Sequence, residues 1–554
     1  MPRPHHVRLR TLFRIGLFCL LMILPACRMP APARPTPTIP PATAAPAASP
    51  TPPAAAEGYI LSQPVSYLVD RPDGSTELHV ISGQGDVVLG TDLDRFASLQ
   101  WSPDARYGLA AVRTPAEKAL LWIDVPARSS RRLLSTSLDQ PLRFLAAAGW
   151  SRLLAVGGEA SGRRVWSAAL PGGKVQPLAA PAGEVAVWAI SPDGRWGLIG
   201  AEVGGRFAST LFRLDTGESF DMGEMPHPLV EFSPDSRWLV MVGREAGEDM
   251  DRMVLYDLGA GSPAAEGKVV ARAGAIRPVL PGPGKPAGFF SEDGVWLMAE
   301  LRQGAEGTLR VRHLEGGRRM EMPLGTDALE WMAVAPGMPR GLVARSDGGM
   351  MRLLLWYFDL SAEIPFLENM RSIAPASRWQ EGRLAVQAEL TDGRMLVAFE
   401  DVPAGSSYIV LRGWMRPLAV DLAGGRVMAG LGRAGQEDVH ILDVKAGGTL
   451  VYMGFSAGDE TKLARGGFAP FGPAAWALLW DGTGDSRLLL AAERRGSGVE
   501  AARGIEDVRF SPSGQALLFT RTIGGESEIY IVGADGSGAR RLAAGRSPRW
   551  HPGP

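Results

Sequence analysis

The sequence predicts an all-β fold, a β-propeller of about eleven four-stranded blades, divided between two propellers in one chain. Three observations lead to this prediction. A Ser–Pro–Asp signature recurs after residue 57, a second hairpin lies between successive copies of it, and no amphipathic helix of useful length interrupts the series. At 554 residues the chain is longer than one ordinary domain, as a repeat architecture allows.

The Ser–Pro–Asp signature marks the first hairpin of each predicted blade. Its copies are "WSPDARYGLAAV" (101–112), "ISPDGRWGLIGA" (190–201), "FSPDSRWLVMVG" (232–243), "FSEDGVWLMAEL" (290–301) and "FSPSGQALLFTR" (510–521). In these copies an apolar residue ends one strand, proline starts a turn, and aspartate bonds back to the backbone, while glycine, where present, takes a positive φ. An apolar strand then leaves the turn, which completes a β-hairpin.

A second hairpin between the anchors completes each blade. It is visible at 120–134, 210–223, 439–454 and 528–542. Two hairpins in roughly 40–50 residues give four short antiparallel strands, which is the composition of a propeller blade.

The number of anchors exceeds what one ring usually holds. Weaker copies at 149–158, 334–344, 377–389, 418–430 and 468–480 bring the anchors between residues 101 and 510 to ten, and 67–90 adds an early blade without an anchor. Since one ring usually has four to eight blades, we expect two propellers, one of about five blades at 58–280 and one of about six at 281–554. The crossing is placed at "GPGKPAG" (282–288), in the widest gap between anchors.

The anchors and the segment "EIYIVGADGSGARRL" (528–542) resemble the WD-type blades of the TolB family, periplasmic proteins of bacterial envelopes. The resemblance covers residues 58–554 and implies the fold. We identify no counterpart of the α/β domain that precedes the propeller in that family, so the resemblance does not extend to the family's role in an envelope complex.

Residues 1–26 are interpreted as a lipoprotein signal peptide. Arg8, Arg10 and Arg14 form a positively charged region before an apolar run of ten residues, Ile15–Leu24, which suits an export signal and is shorter than the roughly 20 residues that span a bilayer. The motif "LPAC" (24–27) resembles the bacterial lipobox, which implies that the thiol of Cys27 receives diacylglycerol. The alternative is an ordinary secretory signal, cut at a nearby alanine, with Cys27 incidental.

Residues 27–57 are predicted to form a disordered tether, because residues 28–57 contain ten prolines and almost nothing that could pack. Lipid and tether together predict a protein anchored to a membrane of the bacterial cell envelope. The first 56 residues contain six arginines and no acidic residue, which leaves 52 basic against 59 acidic side chains in the rest. This mild acidity argues against a nucleic-acid partner.

Few residues in the predicted blades suggest chemistry. The only cysteines, Cys19 and Cys27, precede the blades, which excludes a disulfide or a cysteine metal site there. "ARSDG" (344–348) lacks the first glycine and the helix of a nucleophile elbow, "GLGRAG" (430–435) precedes a strand rather than a helix, and "DGTGD" (481–485) suits a hairpin tip. No two histidines of the blades have zinc-ligand spacing, so we assign no catalytic, cofactor or metal residue.

The tryptophans keep a repeat position. Trp196, Trp238 and Trp296 each lie six residues after the start of their anchor, and Tyr107 takes the same place in a fourth. A residue type that keeps its place in a repeat favours packing between blades over stacking on a carbohydrate.

Two functions remain open. The first is a non-catalytic binding or scaffolding lipoprotein whose propeller faces bind an envelope protein, a peptide or a glycan. The alternative is an exported enzyme, a polysaccharide lyase or hydrolase, with its side chains gathered at a ring mouth. Three or more ionisable side chains that converge at one mouth would favour the enzyme.

The segment "SPRWHP" (547–552) resembles the start of a repeat whose remaining strands are missing after it. A propeller has no free edges only when its ring closes, so this segment is predicted to supply the first strand of a blade whose other strands come earlier. Two partners are possible, the blade at 67–90 or the first blade of a second ring. In either case Trp550 would be buried at the position of Trp101.

Overall fold

The computed structural model describes most of the chain after residue 62. The described residues are 63–93, 99–114, 116–138, 142–159, 162–179, 184–203, 206–224, 228–244, 248–259, 267–282, 285–373, 378–380, 382–393, 395–403, 406–413, 415–421, 425–433, 436–443, 449–456, 462–470, 474–480, 486–491 and 499–551. The predicted signal peptide, Cys27 and the tether lie outside them and stay predictions. Residues 58–554 form one compact unit.

Every regular element in the described part of the chain is a β-strand. The first are β1 (Val65–Asp70), β2 (Thr76–Ser82), β3 (Gly85–Gly90), β4 (Gln100–Trp101), β5 (Tyr107–Arg113), β6 (Lys118–Asp124), β7 (Ser129–Thr136), β8 (Arg143–Ala146), β9 (Arg152–Glu159), β10 (Gly162–Ala169), β11 (Val175–Leu178), β12 (Glu184–Ile190), β13 (Trp196–Val203), β14 (Arg206–Arg213) and β15 (Glu218–Glu224). The next are β16 (Leu229–Phe232), β17 (Trp238–Arg244), β18 (Asp251–Asp257), β19 (Lys268–Ala273), β20 (Ala275–Arg277), β21 (Trp296–Gln303), β22 (Glu306–His313), β23 (Arg319–Gly325), β24 (Ala328–Val334), β25 (Arg340–Asp347), β26 (Met350–Tyr357), β27 (Ala362–Ile373), β28 (Arg378–Gln380), β29 (Arg383–Leu390) and β30 (Met395–Asp401). The last are β31 (Ser406–Gly413), β32 (Met415–Asp421), β33 (Arg426–Arg433), β34 (Gln436–Asp443), β35 (Thr449–Ser456), β36 (Lys462–Phe468), β37 (Ala475–Trp480), β38 (Ser486–Ala491), β39 (Val499–Arg503), β40 (Ile505–Phe510), β41 (Ala516–Ile523), β42 (Glu526–Gly533), β43 (Arg540–Ala544) and β44 (Arg546–Trp550). Among these residues, nothing forms a helix of the length and apolarity needed to span a bilayer.

The described strands pair into ten antiparallel sheets, nine of four strands and one of eight. We call them blades 1 to 10. Blade 1 contains β44 and β1–β3, blades 2 to 6 contain β4–β7, β8–β11, β12–β15, β16–β19 and β20–β23, blade 7 contains β24–β31, and blades 8 to 10 contain β32–β35, β36–β39 and β40–β43.

Buried apolar clusters join each blade to the next. One cluster joins each neighbouring pair from blades 1 and 2 to blades 6 and 7, and others join blade 8 to 9, 9 to 10 and 10 back to 1. Strand β30 of blade 7 contacts β32 of blade 8. Because the series returns to its start, the blades form a closed ring, and the prediction of an all-β propeller of four-stranded blades is confirmed.

The prediction of about eleven blades is wrong, since the structure contains ten sheets. The difference lies in blade 7, where β27 is twelve residues long and extends beyond its hairpin partner β26. Its last residues pair with β29, for example Met370 opposite Leu390, so two sequence repeats share one sheet.

The prediction of two propellers is also wrong. The segment 282–288, chosen as the crossing, lies within blade 6, between its first strand β20 and its second strand β21. Val279 pairs with Gly288 across the base of this excursion. The excursion adds residues between β20 and the anchor at Phe290. In the sequence, such an insertion within a repeat gives the same wide gap between anchors as a linker between two rings.

In four of the Ser–Pro–Asp or Ser–Glu–Asp turns, a buried serine stabilises the turn. These serines are Ser102, Ser191, Ser233 and Ser291. The buried hydroxyl of each accepts a hydrogen bond, at 2.8–3.0 Å, from the backbone N–H of the aromatic residue that starts the second strand. It donates to the carboxylate of the aspartate two residues later, at 2.5–2.7 Å. That carboxylate accepts a backbone N–H two residues further on, which confirms the predicted aspartate bond.

The first strand of each blade lies at the inner rim. The first strand β12 contacts the first strands of both neighbouring blades, β8 and β16, whereas fourth strands such as β15 expose most of their residues. The aromatic residue that ends a first strand packs toward the preceding blade, as Phe232 and Trp550 do. Because side chains alternate along a strand, the residue just before it is directed toward the following blade.

Candidate functional site

The sequence candidates for chemistry do not form a site in the described residues. Residues 344–347 end strand β25 and Gly348 follows in the hairpin turn to β26, and Ala344 is fully buried, so this segment is part of a hairpin and not a nucleophile elbow. Residues 430–433 lie within β33, while 434–435 and the segment 481–485 are outside the described residues.

The described histidines are dispersed over the ring. His79 lies in β2, His313 ends β22, His440 lies in β34, and His551 follows β44. In the described residues no group of three or more histidine, cysteine or acidic side chains could bind a metal ion. His227 lies outside those residues.

The aromatic residues at the repeat position pack between blades, as predicted. Trp196 and Trp296 belong to buried clusters shared with the following blades, and Trp238 and Tyr107 pack against such clusters. They are therefore unsuited to stack on a carbohydrate.

The ring closes at blade 1. Strand β44 pairs antiparallel with β1, with Val65 opposite Trp550 and Ser66 opposite Arg549. Of the two partners considered for the segment 547–552, the blade at 67–90 is the one observed. Trp550 is 8% exposed, packs against blade 10, and donates its indole N–H to the carbonyl of Arg509 at 3.3 Å.

His551 completes the closure at the place where other blades have the serine. Its backbone N–H donates to the carbonyl of Pro64 at 2.8 Å. Its ring nitrogen Nδ1 contacts the carbonyl of Ala105 in blade 2, Nε2 lies 2.7 Å from the hydroxyl of Ser66, and its ring meets Trp101 edge-on at 4.5 Å. His551 therefore links both strands of the closure to the next blade.

Ser66 and His551 are hydrogen-bonded like a catalytic nucleophile and its general base, but they are not accessible to a substrate. Nδ1 faces a carbonyl and must donate, so Nε2 accepts the proton of the Ser66 hydroxyl. Burial lowers the pKa of His551 to about 4, so the ring is neutral at pH 7. However, His551 is 0% and Ser66 2% exposed, so no substrate reaches them and their role is structural.

A second network lies on the outer strands of blade 1. His79 stands 3.0 Å from Asp86 through Nδ1 and 3.0 Å from Glu77 through Nε2. Tyr67 donates to Asp86 at 2.6 Å, and Arg71 donates to Glu77 at 2.5 Å. Both ring nitrogens of His79 therefore face carboxylate oxygens. Burial and the bond to Asp86 raise the pKa of Tyr67, and the bond from Arg71 lowers the pKa of Glu77.

These bonds tie β1, β2 and β3 together, and each member is satisfied by another. The network lies away from the first strands that form the inner rim. It therefore does not meet the condition of ionisable groups that converge at a ring mouth.

An arginine that recurs at the turns was assigned no role from the sequence. It directly precedes or begins the second strand in several repeats, as Arg106, Arg152, Arg195, Arg237 and Arg340. Arg152 donates to the carbonyl of Leu214, Arg237 to Glu315 and Arg340 to the carbonyl of Pro403, at 2.6–2.8 Å. These three bonds join successive repeats, so the recurring position was a usable signal for a structural contact.

The residue just before the terminal aromatic of a first strand differs from blade to blade. In blade 5 it is Glu231, which accepts the backbone N–H of Phe289 in blade 6 at 2.5 Å. Burial raises the pKa of Glu231 to about 6. The excursion in blade 6 thus supplies a partner to this side chain from within the fold.

At the closure the same position is occupied by two arginines, Arg509 in blade 10 and Arg549 in blade 1. Arg509 pairs with Asp507 at 3.1 Å, and both side chains are substantially exposed. Arg549 is partly buried, and within the described residues no carboxylate or carbonyl accepts a hydrogen bond from its guanidinium. Burial, and next the charge of Arg509, lower the pKa of Arg549. The inner rim at the closure therefore presents a cation without a counter-charge, and this is the candidate binding site.

Comparison with known proteins gives no family. No protein-family model and no curated protein matches the chain. Among solved structures, a prolyl endopeptidase matches at 13% identity and a TM-score of 0.32, over 62% of this chain and 55% of that one. TolB from Acinetobacter baumannii matches at 16% and 0.25, over 48% and 64%, and dipeptidyl peptidase 4 from Porphyromonas gingivalis at 12% and 0.38, over 81% and 59%.

This chain thus spans less than two thirds of each of these three structures. All three TM-scores are below 0.5, so the assignment of a β-propeller rests on the strand pairing and the shared cores. The TolB family, which the sequence motifs resemble, is represented among the matching structures.

Proposed function

We propose that this chain is an exported, lipid-anchored protein of the bacterial cell envelope whose propeller binds an envelope protein, peptide or glycan without catalysis. The supporting observation is Arg549, a partly buried guanidinium that the described fold leaves without an acceptor. Desolvating a charge without pairing it is unfavourable, so a ligand that supplies an anion gains free energy on binding there. A small-molecule cofactor is not part of this proposal.

The alternative is an exported lyase or hydrolase with its site at a ring mouth. The two histidine arrangements of the described residues that resemble catalytic groups do not support it. His551 and Ser66 are buried, and His79 lies on the outer strands of blade 1 with both ring nitrogens occupied. The binding role therefore has the stronger support.

The binding role is tested by capture from detergent-solubilised envelope with the tagged full-length protein as bait. We expect the wild-type protein and the variant Arg195→Gln to enrich the same partner, because Arg195 is an exposed turn arginine that pairs with Asp193 of its own repeat. The double variant Arg509→Gln/Arg549→Gln should lose it. Equal capture by all three proteins would place the partner elsewhere, and depolymerisation of an added polysaccharide by the purified protein would contradict the proposal.

The lipid anchor is tested by fractionation of cells that express Cys27→Ala, with Cys19→Ala as the matched control. If Cys27 carries the lipid, Cys27→Ala leaves the precursor uncleaved or releases the protein to the soluble fraction, whereas Cys19→Ala stays with the membrane. Processing and membrane partition unchanged in Cys27→Ala would contradict the lipid anchor and favour the ordinary secretory signal.

A further inference from the structure

The position before the terminal aromatic of the first strand forms a series around the inner rim. In blade 2, which follows blade 1 around the ring, the residue at this position is Gln100, which is partly exposed. Of the aromatic residues that follow these positions, Trp550 is buried, and Trp101 has His551 against one part of its ring and Gly108 against another. The polar groups that these positions offer to a ligand are the guanidiniums of Arg509 and Arg549 and the amide of Gln100, with the carboxylate of Asp507 beside Arg509.

The charges of this part of the rim favour a ligand group that carries a single negative charge. Asp507 already neutralises much of the charge of Arg509 across their 3.1 Å hydrogen bond. His551 beneath Arg549 is buried and adds no charge at neutral pH. The remaining positive charge is therefore close to that of one guanidinium, which matches the single charge of one carboxylate group, whereas a phosphate dianion would place two charges on one group beside Asp507.

The geometry of the donors suits a carboxylate group. A guanidinium offers two parallel N–H donors to the two oxygens of a carboxylate, and Gln100 can donate a further bond from its amide. Resting on the binding function proposed above, we infer that Arg549, assisted by Arg509 and Gln100, binds a carboxylate group of the ligand. An acidic peptide side chain and a uronic acid both carry this group.

The inference is tested on the purified full-length protein by calorimetric titration with succinate and with inorganic phosphate. We expect succinate to bind the wild-type protein and phosphate to bind more weakly. Arg549→Gln should weaken succinate binding about tenfold or more, since it removes a charge-assisted bidentate pair. Arg549→Lys keeps the positive charge and loses the two parallel N–H donors, so its affinity for succinate should lie between those of the wild-type protein and Arg549→Gln.

One variant is expected to gain affinity. Asp507→Asn removes the carboxylate that competes with the ligand for Arg509, so succinate should bind several-fold more tightly than to the wild-type protein. A gain cannot result from damage to the fold. Arg195→Gln serves as the control for a lost surface charge and should bind succinate like the wild-type protein.

Three results would overturn the inference: no binding of succinate to the wild-type protein, equal weakening by Arg549→Gln and Arg195→Gln, or tighter binding of phosphate than of succinate. With succinate binding established, titration with a glutamate pentapeptide and with trigalacturonate identifies the source of the carboxylate. Because these measurements use defined ligands, the carboxylate site can fail while a partner is still captured from the envelope, and the reverse outcome is equally distinguishable.

Discussion

The turn of blade 4 and the closure of blade 1 solve the same structural problem with different residues. In blade 4 the chain passes directly from β12 to β13, and Ser191 fastens the turn with its hydroxyl while its N–H donates to the carbonyl of Trp196 at 2.9 Å. In blade 1 the corresponding strands, β44 and β1, come from opposite ends of the described chain. His551 takes the place of Ser191 and keeps the backbone bond, here to Pro64 at 2.8 Å.

The difference lies in the reach of the two side chains. A serine hydroxyl satisfies groups within its own turn, and the covalent connection holds the two strands together. At the closure no such connection exists, and the longer imidazole reaches Ser66 on one side and Ala105 of the next blade on the other. Side-chain contacts therefore hold the two strands together at the closure, whereas the continuous chain does so in the other turns.

The largest effect is expected from Trp550→Ala. Loss of this buried indole leaves a cavity between blades 10 and 1 and should reduce the free energy of unfolding by about 3–5 kcal/mol, as for other buried aromatic residues. Urea denaturation of Trp480→Ala, where the side chain is 45% exposed, provides the control and should change little. Similar small losses in both variants would show that β44 is frayed rather than docked.

The next effect is a dependence on pH. The pKa of His551 is about 4 in the folded protein and near 6.5 in an unfolded chain, so the unfolded state binds more protons as the pH falls. The stability supplied by the neutral ring is complete above pH 6.5 and is lost on acidification to about pH 4, a loss of about 3 kcal/mol.

The measurement is the free energy of unfolding between pH 7.5 and 4, compared with that of His551→Gln. The variant cannot titrate at this position, so the difference between the two proteins should shrink as the pH is lowered. Parallel curves would show that His551 does not report on the closure.

A smaller effect is expected at the covalently connected turn. Ser191→Ala leaves the buried backbone N–H of Trp196 without its hydroxyl acceptor and should cost about 1–3 kcal/mol. Ser209 of the same blade is also fully buried, but its hydroxyl has no partner among the described residues, so Ser209→Ala should be neutral or stabilising. If both variants lost the same stability, burial rather than hydrogen bonding would explain the serine of the turn.

The smallest effect is expected from Arg546→Gln. Arg546 donates two hydrogen bonds to Asp70 at 2.6 and 3.0 Å across the closure, but both side chains are more than 40% exposed. Such a pair contributes less than about 1 kcal/mol, and salt screens it. A loss above that of Ser191→Ala, measured at low and high salt, would mean that the ion pair rather than Trp550 and His551 holds the ring closed.

The sequence by itself determined the blade. The spacing of the Ser–Pro–Asp turns and the strand-length apolar segments predicted the hairpins, and the fixed place of Trp196, Trp238 and Trp296 predicted their packing, because these features depend on residues close together in the chain. It also predicted the burial of Trp550, since an unfinished repeat must find its partner strands elsewhere. The binding site had no such signal, because the repeat position of Arg509 and Arg549 has different residue types in other blades.

Only the tertiary structure decided how the repeats assemble. The single ring depends on the cluster that joins blade 10 to blade 1, and the eight-stranded blade depends on the pairing of β27 with β29. The roles of His551, Ser66 and Ala105 arise between segments that are far apart in the chain. The same holds for the contrast between Glu231, which has a partner, and Arg549, which has none among the described residues. A local pattern cannot encode such contacts, because the free energy of a charge depends on what the folded chain brings to it from other blades.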